Sequence, residues 1–103
     1  MTAAQHFDRL VTDLADRGVA RAAMFGKTTL KNRHGKAFAV QQPGALVFRL
    51  LAGSPAFDRA LALPGAAVFE PAPGRAMKDW IAVPEAHADH YPRLAEAALD
   101  ALG

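Results

Sequence analysis

Three Pro-Gly pairs, at Pro43-Gly44, Pro64-Gly65 and Pro73-Gly74, constrain the fold of this 103-residue chain more than any other feature. Proline presets the first central position of a type II turn and glycine accepts the positive φ of the second, so each pair marks a reversal or an element boundary. Parallel neighbours need crossovers of a dozen or more residues, usually helical, whereas the connections between candidate strands here are of hairpin length. The strands are therefore expected to pair antiparallel. The length suits one hydrophobic core and not two, so residues 1–103 are read as a single domain.

Periodicity fills in the elements. Phe7, Leu10, Val11 and Leu14 fall at i, i+3, i+4 and i+7, which predicts an amphipathic helix over about 4–17, ended by Gly18 in a left-handed cap. From Met24 to Leu51 the aromatic and β-branched residues, with turn signals at Arg33-His34-Gly35 and Pro43-Gly44, predict a three-strand meander at about 22–32, 36–41 and 45–51. In its first strand Lys27, Thr29, Lys31 and Arg33 share one parity, a polar face by alternation, and Gly26 marks a bulge or a close backbone approach. Ser54 caps a short helix with Pro55 in its first turn and Phe57, Ala60 and Leu61 on its apolar side. Two further strands, at about 66–70 and 77–83, flank a loop containing Pro71, Pro73 and Gly74. Pro84 then opens a last helix whose apolar face is Tyr91, Leu94, Ala95, Ala98, Leu99 and Leu102. The order α-β-β-β-α-β-β-α predicts a two-layer α+β domain, a five-stranded antiparallel sheet covered by helices.

Composition removes several function classes. The chain has no cysteine, so disulfides, thiolate metal sites and cysteine nucleophiles are excluded. No apolar run approaches the roughly 18–20 residues that span a bilayer. Met1 to Leu10 carries Asp8 and Arg9 in place of an apolar signal region, so a soluble, cytoplasmic protein with no membrane partner is expected. The net charge of +2 hides a segregation: residues 17–57 hold seven bases (Arg17, Arg21, Lys27, Lys31, Arg33, Lys36 and Arg49) and no acid, while residues 58–103 hold seven acids against four bases. Such a block focuses positive potential and attracts anionic partners, although lysines on edge strands also discourage aggregation.

Chemistry beyond charge is sparse. Gly26-Lys27-Thr28 ends like a phosphate loop, but the glycine that motif requires five residues before Gly26 is Arg21. Gly74, Arg75 and Lys78 form a second anion candidate, a glycine turn with two nearby cations; a solvated hairpin loop with Met77 and Trp80 in the core explains the same residues. His87 and His90, three apart beside Glu85 and Asp89, supply only two imidazoles, and no metal or other cofactor is assigned. His6 and His34 have no visible partner. Ser54 is accounted for as a cap, no Gly-x-Ser-x-Gly elbow exists, and no pair of carboxylates is set at catalytic spacing, so a non-enzymatic protein is expected.

Met24-Phe25-Gly26, Leu30-Lys31, Gly35-Lys36-Ala37-Phe38-Ala39, Phe48-Arg49-Leu50, Pro64-Gly65, Met77-Lys78-Asp79-Trp80 and Val83-Pro84, in that order, resemble the TfoX N-terminal domain family, and YjbR-like domains share part of the pattern. The resemblance runs from about Met24 to the C-terminus and implies a small α+β domain of secretion-chaperone-like fold. The better-known members resemble bacterial regulators of natural competence that act in transcription with the cAMP receptor protein. Those carry an additional C-terminal helical domain that is not in this sequence, so the resemblance implies a stand-alone relative, for which no catalytic residues can be carried over.

Two functions are expected to compete. In the first, a basic face built from Lys27, Lys31, Arg33, Lys36, Arg49, Arg75 and Lys78 engages an anionic partner, either nucleic acid or the acidic surface of a transcription-associated protein. In the second, the sheet or the alanine-rich last helix, through Ala95, Ala97, Ala98 and Ala101, packs on a protein partner or a second copy of the chain, and the charges only keep the rest in solution. A small-ligand pocket near Gly74 to Trp80 is a third reading.

Overall fold

The computed structural model describes residues 1–24 and 26–102; Phe25, read above as part of the first strand and of the Met24-Phe25-Gly26 motif, lies outside the described residues, as does Gly103. Helix α1 runs Ala3–Leu14. Its start is a reciprocal capping box: the Gln5 N–H donates to Thr2 Oγ1 at 3.2 Å and the Thr2 N–H donates to Gln5 Oε1 at 2.7 Å. A third orphan donor, the Ala3 N–H, reaches Glu85 Oε2 at 2.7 Å, which ties α1 to the far end of the chain. The predicted stripe is buried at Phe7, Leu10 and Leu14. A 3₁₀ turn, Ala15–Arg17, tightens the end, and Gly18 follows at φ +81°. A Cβ on Gly18 would stand 2.8 Å from the Cβ of Arg33, so both conformation and space demand glycine there.

Six strands follow: β1 (Ala20–Met24), β2 (Lys27–Lys31), β3 (Ala37–Gln42), β4 (Ala45–Arg49), β5 (Ala67–Phe69) and β6 (Met77–Pro84). They form one sheet in the order β1-β2-β3-β4-β6-β5, with each neighbouring pair antiparallel. The α+β class and the antiparallel sheet match expectation; the strand count does not. The predicted strand at 22–32 is a hairpin, with Met24 paired to Lys27 and Gly26 at φ +71°. Gly26 is a reversal and neither a bulge nor a close approach, since a Cβ there meets nothing within 4 Å. The meander therefore has four strands. Its one register shift lies in the β2–β3 pair, where Leu30 faces Ala39 but Lys31 faces Ala37, leaving Phe38 and Ala39 both buried.

Helix α2 (Pro55–Leu61) begins as predicted, with Ser54 Oγ accepting from the Phe57 N–H at 3.1 Å. The last helix begins later than predicted. Pro84 has the extended conformation φ −58°, ψ 150° and closes β6 opposite Ala45, and the Glu85 N–H donates to the Gly44 carbonyl at 2.9 Å. A 3₁₀ segment, Glu85–His90, then leads into α3 (Tyr91–Ala101).

Register sorts the strands into two faces, because directly opposed residues point the same way. One face holds Leu30, Ala39, Leu46, Phe48, Ile81 and Val83, packed beneath Phe7, Leu10, Phe57, Tyr91 and Leu94 of the helices. Tyr91 anchors this layer: its ring lies 5.6 Å from that of Phe48, and its hydroxyl donates to the Val83 carbonyl at 2.8 Å. The other face carries a smaller cluster of Val40, Val47, Phe69 and Trp80 that includes no helical residue. Among the described residues, no helix is long and apolar enough to cross a membrane.

Candidate anion-binding face on the open side of the sheet

On the helix-free face the register lays residues in rows across the strands. Thr29, Val40, Val47, Ala82 and Ala67 form a central row. Thr29 is fully buried, and its hydroxyl is satisfied by donating to the Lys27 carbonyl at 3.1 Å. One flanking row contains Lys31, Ala37, Arg49 and Trp80; the other contains Lys27, Gln42 and Ala45. Lys31 and Arg49 stand two strands apart, about 10 Å across the sheet, and Lys27 lies four residues from Lys31 on β2, about 13 Å along it. No acidic residue occupies this face among the described strand residues.

Val40 and Val47 are completely buried in a cluster that, among the described residues, includes no helical side chain. Phe69 and Trp80 belong to the same cluster, Met24, Ala37, Met77 and Ala82 pack against it, and Lys27, Lys31 and Arg49 on this face are half-buried. The small core is thus covered by its own apolar side chains, with the cations in the rows that flank it.

Lys36 joins the group through a turn. Asn32 Oδ1 accepts from the His34 N–H at 3.0 Å and from the Lys36 N–H at 2.9 Å, an Asx turn that fixes the β2–β3 connection. Lys36, Ala37, Arg49 and Trp80 line an open depression of about 520 Å³ together with Ala101 and Leu102 at the end of α3. Trp80 was expected in the core. It is 8 % exposed and lies in a buried cluster as expected, the one on the open face, where it stands opposite Arg49, a proximity not visible from spacing alone.

The remaining candidates are placed elsewhere. Arg33 sits in the β2–β3 turn beside Gly18 and lines a different crevice with Arg17 and His34. Arg75 and Lys78 are exposed but do not line the depression, and the Gly74 N–H that might have met an anion donates to Glu70 Oε1 at 3.1 Å. The linear block of seven bases is also partly neutralised: Arg17 pairs with Asp100 at 2.6 Å, and Arg21 pairs with Asp8 while lying 5.6 Å from the Phe7 ring centroid. The acidic flanks fold back onto the two outermost arginines of one end. Lys27, Lys31, Lys36 and Arg49 form no ion pair among the described residues.

The histidines serve structure. His87 Nε2 lies 2.8 Å from the Pro64 carbonyl, and its ring centroid is 6.3 Å from that of His90. His6, read as partnerless, stacks edge-on against Tyr91 at 5.7 Å. Among the described residues no cluster of three or more metal-binding side chains occurs. Of the alanines on the last helix, Ala95 and Ala98 are fully buried against the protein's own core, while Ala97 is half-buried and Ala101 exposed. Compared with known proteins, the chain matches no family model, no curated protein and no solved structure.

Proposed function

We propose that this is a non-enzymatic binding domain whose open sheet face, through Lys27, Lys31, Lys36 and Arg49, contacts the phosphate backbone of a nucleic acid. The observation that carries the reading is that Lys31, Arg49 and Lys36 lie on and beside one face, with Lys27 further along it, and that no described strand residue on that face is acidic and none of the four forms an ion pair among the described residues. Lys27, Lys31 and Arg49 are half-buried, so their side chains have less freedom to lose on binding than the exposed Lys36. All three helices cover the opposite face, so none is set on this surface to enter a major groove, and contacts to phosphate rather than to base edges are what it offers. A regulatory role in a cytoplasmic, transcription-associated setting, as the TfoX resemblance implies, agrees with such a surface. A second-copy partner is favoured less, since the large apolar side chains left exposed among the described residues are Met1 and Leu61 alone.

The test is the affinity for labelled duplex and single-stranded DNA as a function of salt, for the wild-type protein and the Lys31→Ala/Lys36→Ala/Arg49→Ala variant. Four phosphate contacts give a slope of log affinity against log salt of about −3 to −4 on duplex DNA, reduced to about −1 in the variant. Absence of binding at low salt, or binding indifferent to salt, contradicts the proposal and turns the search to acidic proteins.

A further inference from the structure

The crevice between α2 and α3 differs chemically from the open sheet face. One wall is Ala56, Arg59, Ala60 and Leu63, from α2 and the turn that ends it; the other is His90, Arg93, Leu94 and Ala97, from the start and first half of α3. Each set follows the i, i+3, i+4, i+7 spacing of a single helical face, and the two arginines hold equivalent places in it. The alanines create the space. With side chains no longer than a methyl at 56, 60 and 97, the walls stand apart around a slot of about 150 Å³ whose floor is apolar. A protein cavity of about this volume accommodates a benzene ring.

Charge and floor together define an occupant. Arg59 and Arg93 are exposed, face the slot from opposite walls, and form no ion pair among the described residues; no carboxylate lines the slot. Two guanidiniums facing one opening favour an anion between them, and guanidinium groups match the planar geometry of a carboxylate. Inorganic anions would satisfy the rim but gain nothing from Ala60, Leu94 and Ala97, while a neutral hydrocarbon would use the floor but leave the rim uncompensated. We infer that this crevice is a binding site for a small organic carboxylate with an apolar body of about six or seven carbons, aromatic or branched. Its carboxylate is held between Arg59 and Arg93, and its body lies over Ala60, Leu94 and Ala97. The site shares no residue with the proposed nucleic-acid face and stands independently of it.

Benzoate, benzyl alcohol and inorganic phosphate are the probes, and backbone amide shifts in two-dimensional NMR spectra of the uniformly labelled protein are the readout. Benzoate at millimolar concentration, the range set by so small a ligand, is expected to shift amides of residues 56–63 and 90–97 in a saturable way. Benzyl alcohol and phosphate are expected to bind at least about tenfold more weakly, the loss of a charge-assisted contact in one case and of the apolar floor in the other. Arg59→Ala/Arg93→Ala, at two exposed positions, should keep the spectrum of the folded protein and lose benzoate binding by a similar factor. Ala97→Leu, which fills the slot but leaves both arginines, should lose it as well. The inference is overturned if benzoate leaves these amides unmoved, if benzyl alcohol or phosphate matches it, or if either folded variant binds benzoate as the wild type does.

Discussion

The two faces of the sheet are built from the same strands and solve opposite problems. On the covered face Phe48, Ile81 and Leu46 are sealed by three helices, and the polar atoms that enter, such as the Tyr91 hydroxyl, are satisfied by backbone. On the open face Val40 and Val47 are just as dry, yet they are packed by Phe69, Trp80, Met24 and Met77, with three half-buried cations in the flanking rows. Alternation along a strand thus delivers apolar residues to both sides of β3 and β4, and what separates the sides is the covering: helices over one, a few strand and loop side chains flanked by cations over the other. A small apolar cluster flanked by cations leaves a surface that is positively charged and, among the described strand residues, free of acids. The contrast is the structural reason to place binding on the open side.

The comparison breaks most easily through packing. Phe48→Ala, on the covered face, is expected to cost about 3–5 kcal/mol, whereas Val47→Ala, its neighbour pointing the other way, costs about 1.5–2.5 kcal/mol, both read as urea midpoints at constant m. Equal costs would mean that the two clusters are one core. Tyr91→Phe is expected to cost about 1 kcal/mol near neutral pH by removing the hydroxyl's hydrogen bond to Val83. Its pH dependence sharpens the point. Burial pushes the Tyr91 phenol up to about 12, with the Leu46 backbone opposing the rise and the charge of Glu85 adding to it. The unfolded phenol ionises near the usual value of about 10, so the unfolded state loses its proton first. The stability this group contributes is whole below about pH 10 and disappears as pH rises through about 12. Unfolding midpoints of wild-type and Tyr91→Phe proteins should therefore converge over that interval, and a constant difference would remove the assignment.

Smaller effects concern the open face and the surface. The Lys31→Ala/Lys36→Ala/Arg49→Ala protein is expected to lose about 1 kcal/mol or less of stability, because two of the side chains are half-buried and the third exposed, while losing most of its affinity for DNA. A variant that unfolds would show that these side chains hold the fold before they hold a ligand. Arg17→Ala should change stability by no more than about 0.5 kcal/mol, because it and Asp100 are 45 % and 66 % exposed, and the difference should vanish at high salt.

Much of this arrangement was legible in the sequence, and the parts that were not have definite causes. The stripe Phe7-Leu10-Leu14, the Ser54 cap and the parity of Lys27, Thr29 and Lys31 all report local geometry, and each reads through to the structure. The extra strand was hidden because Gly26 was judged as a bulge inside one long apolar and polar alternation, when its positive φ reverses the chain. Arg33 shares parity with Lys31 on paper, but the strand ends at Lys31 and Asn32 redirects the chain, so parity lost its meaning two residues earlier. Arg17 and Arg21 look like part of the basic block until Asp100 and Asp8 reach them, contacts that depend on where the helices pack. Trp80 and Arg49 are thirty-one residues apart in the chain and adjacent only through the β4–β6 pairing. Local signals survive folding, and convergence between distant residues is decided by topology.

Trp80 is the sole tryptophan, and it stands on the open face directly opposite Arg49, so its fluorescence reports on that surface and on nothing else. The most direct measurement is the tryptophan emission during titration with an unlabelled DNA duplex at low salt, run beside anisotropy of a labelled copy of the same duplex. The account predicts that the two signals saturate together, and that both are lost in the Lys31→Ala/Lys36→Ala/Arg49→Ala protein. Binding seen by anisotropy with Trp80 emission unchanged, or retained in full by that variant, would place the anionic partner on another surface and contradict the central claim.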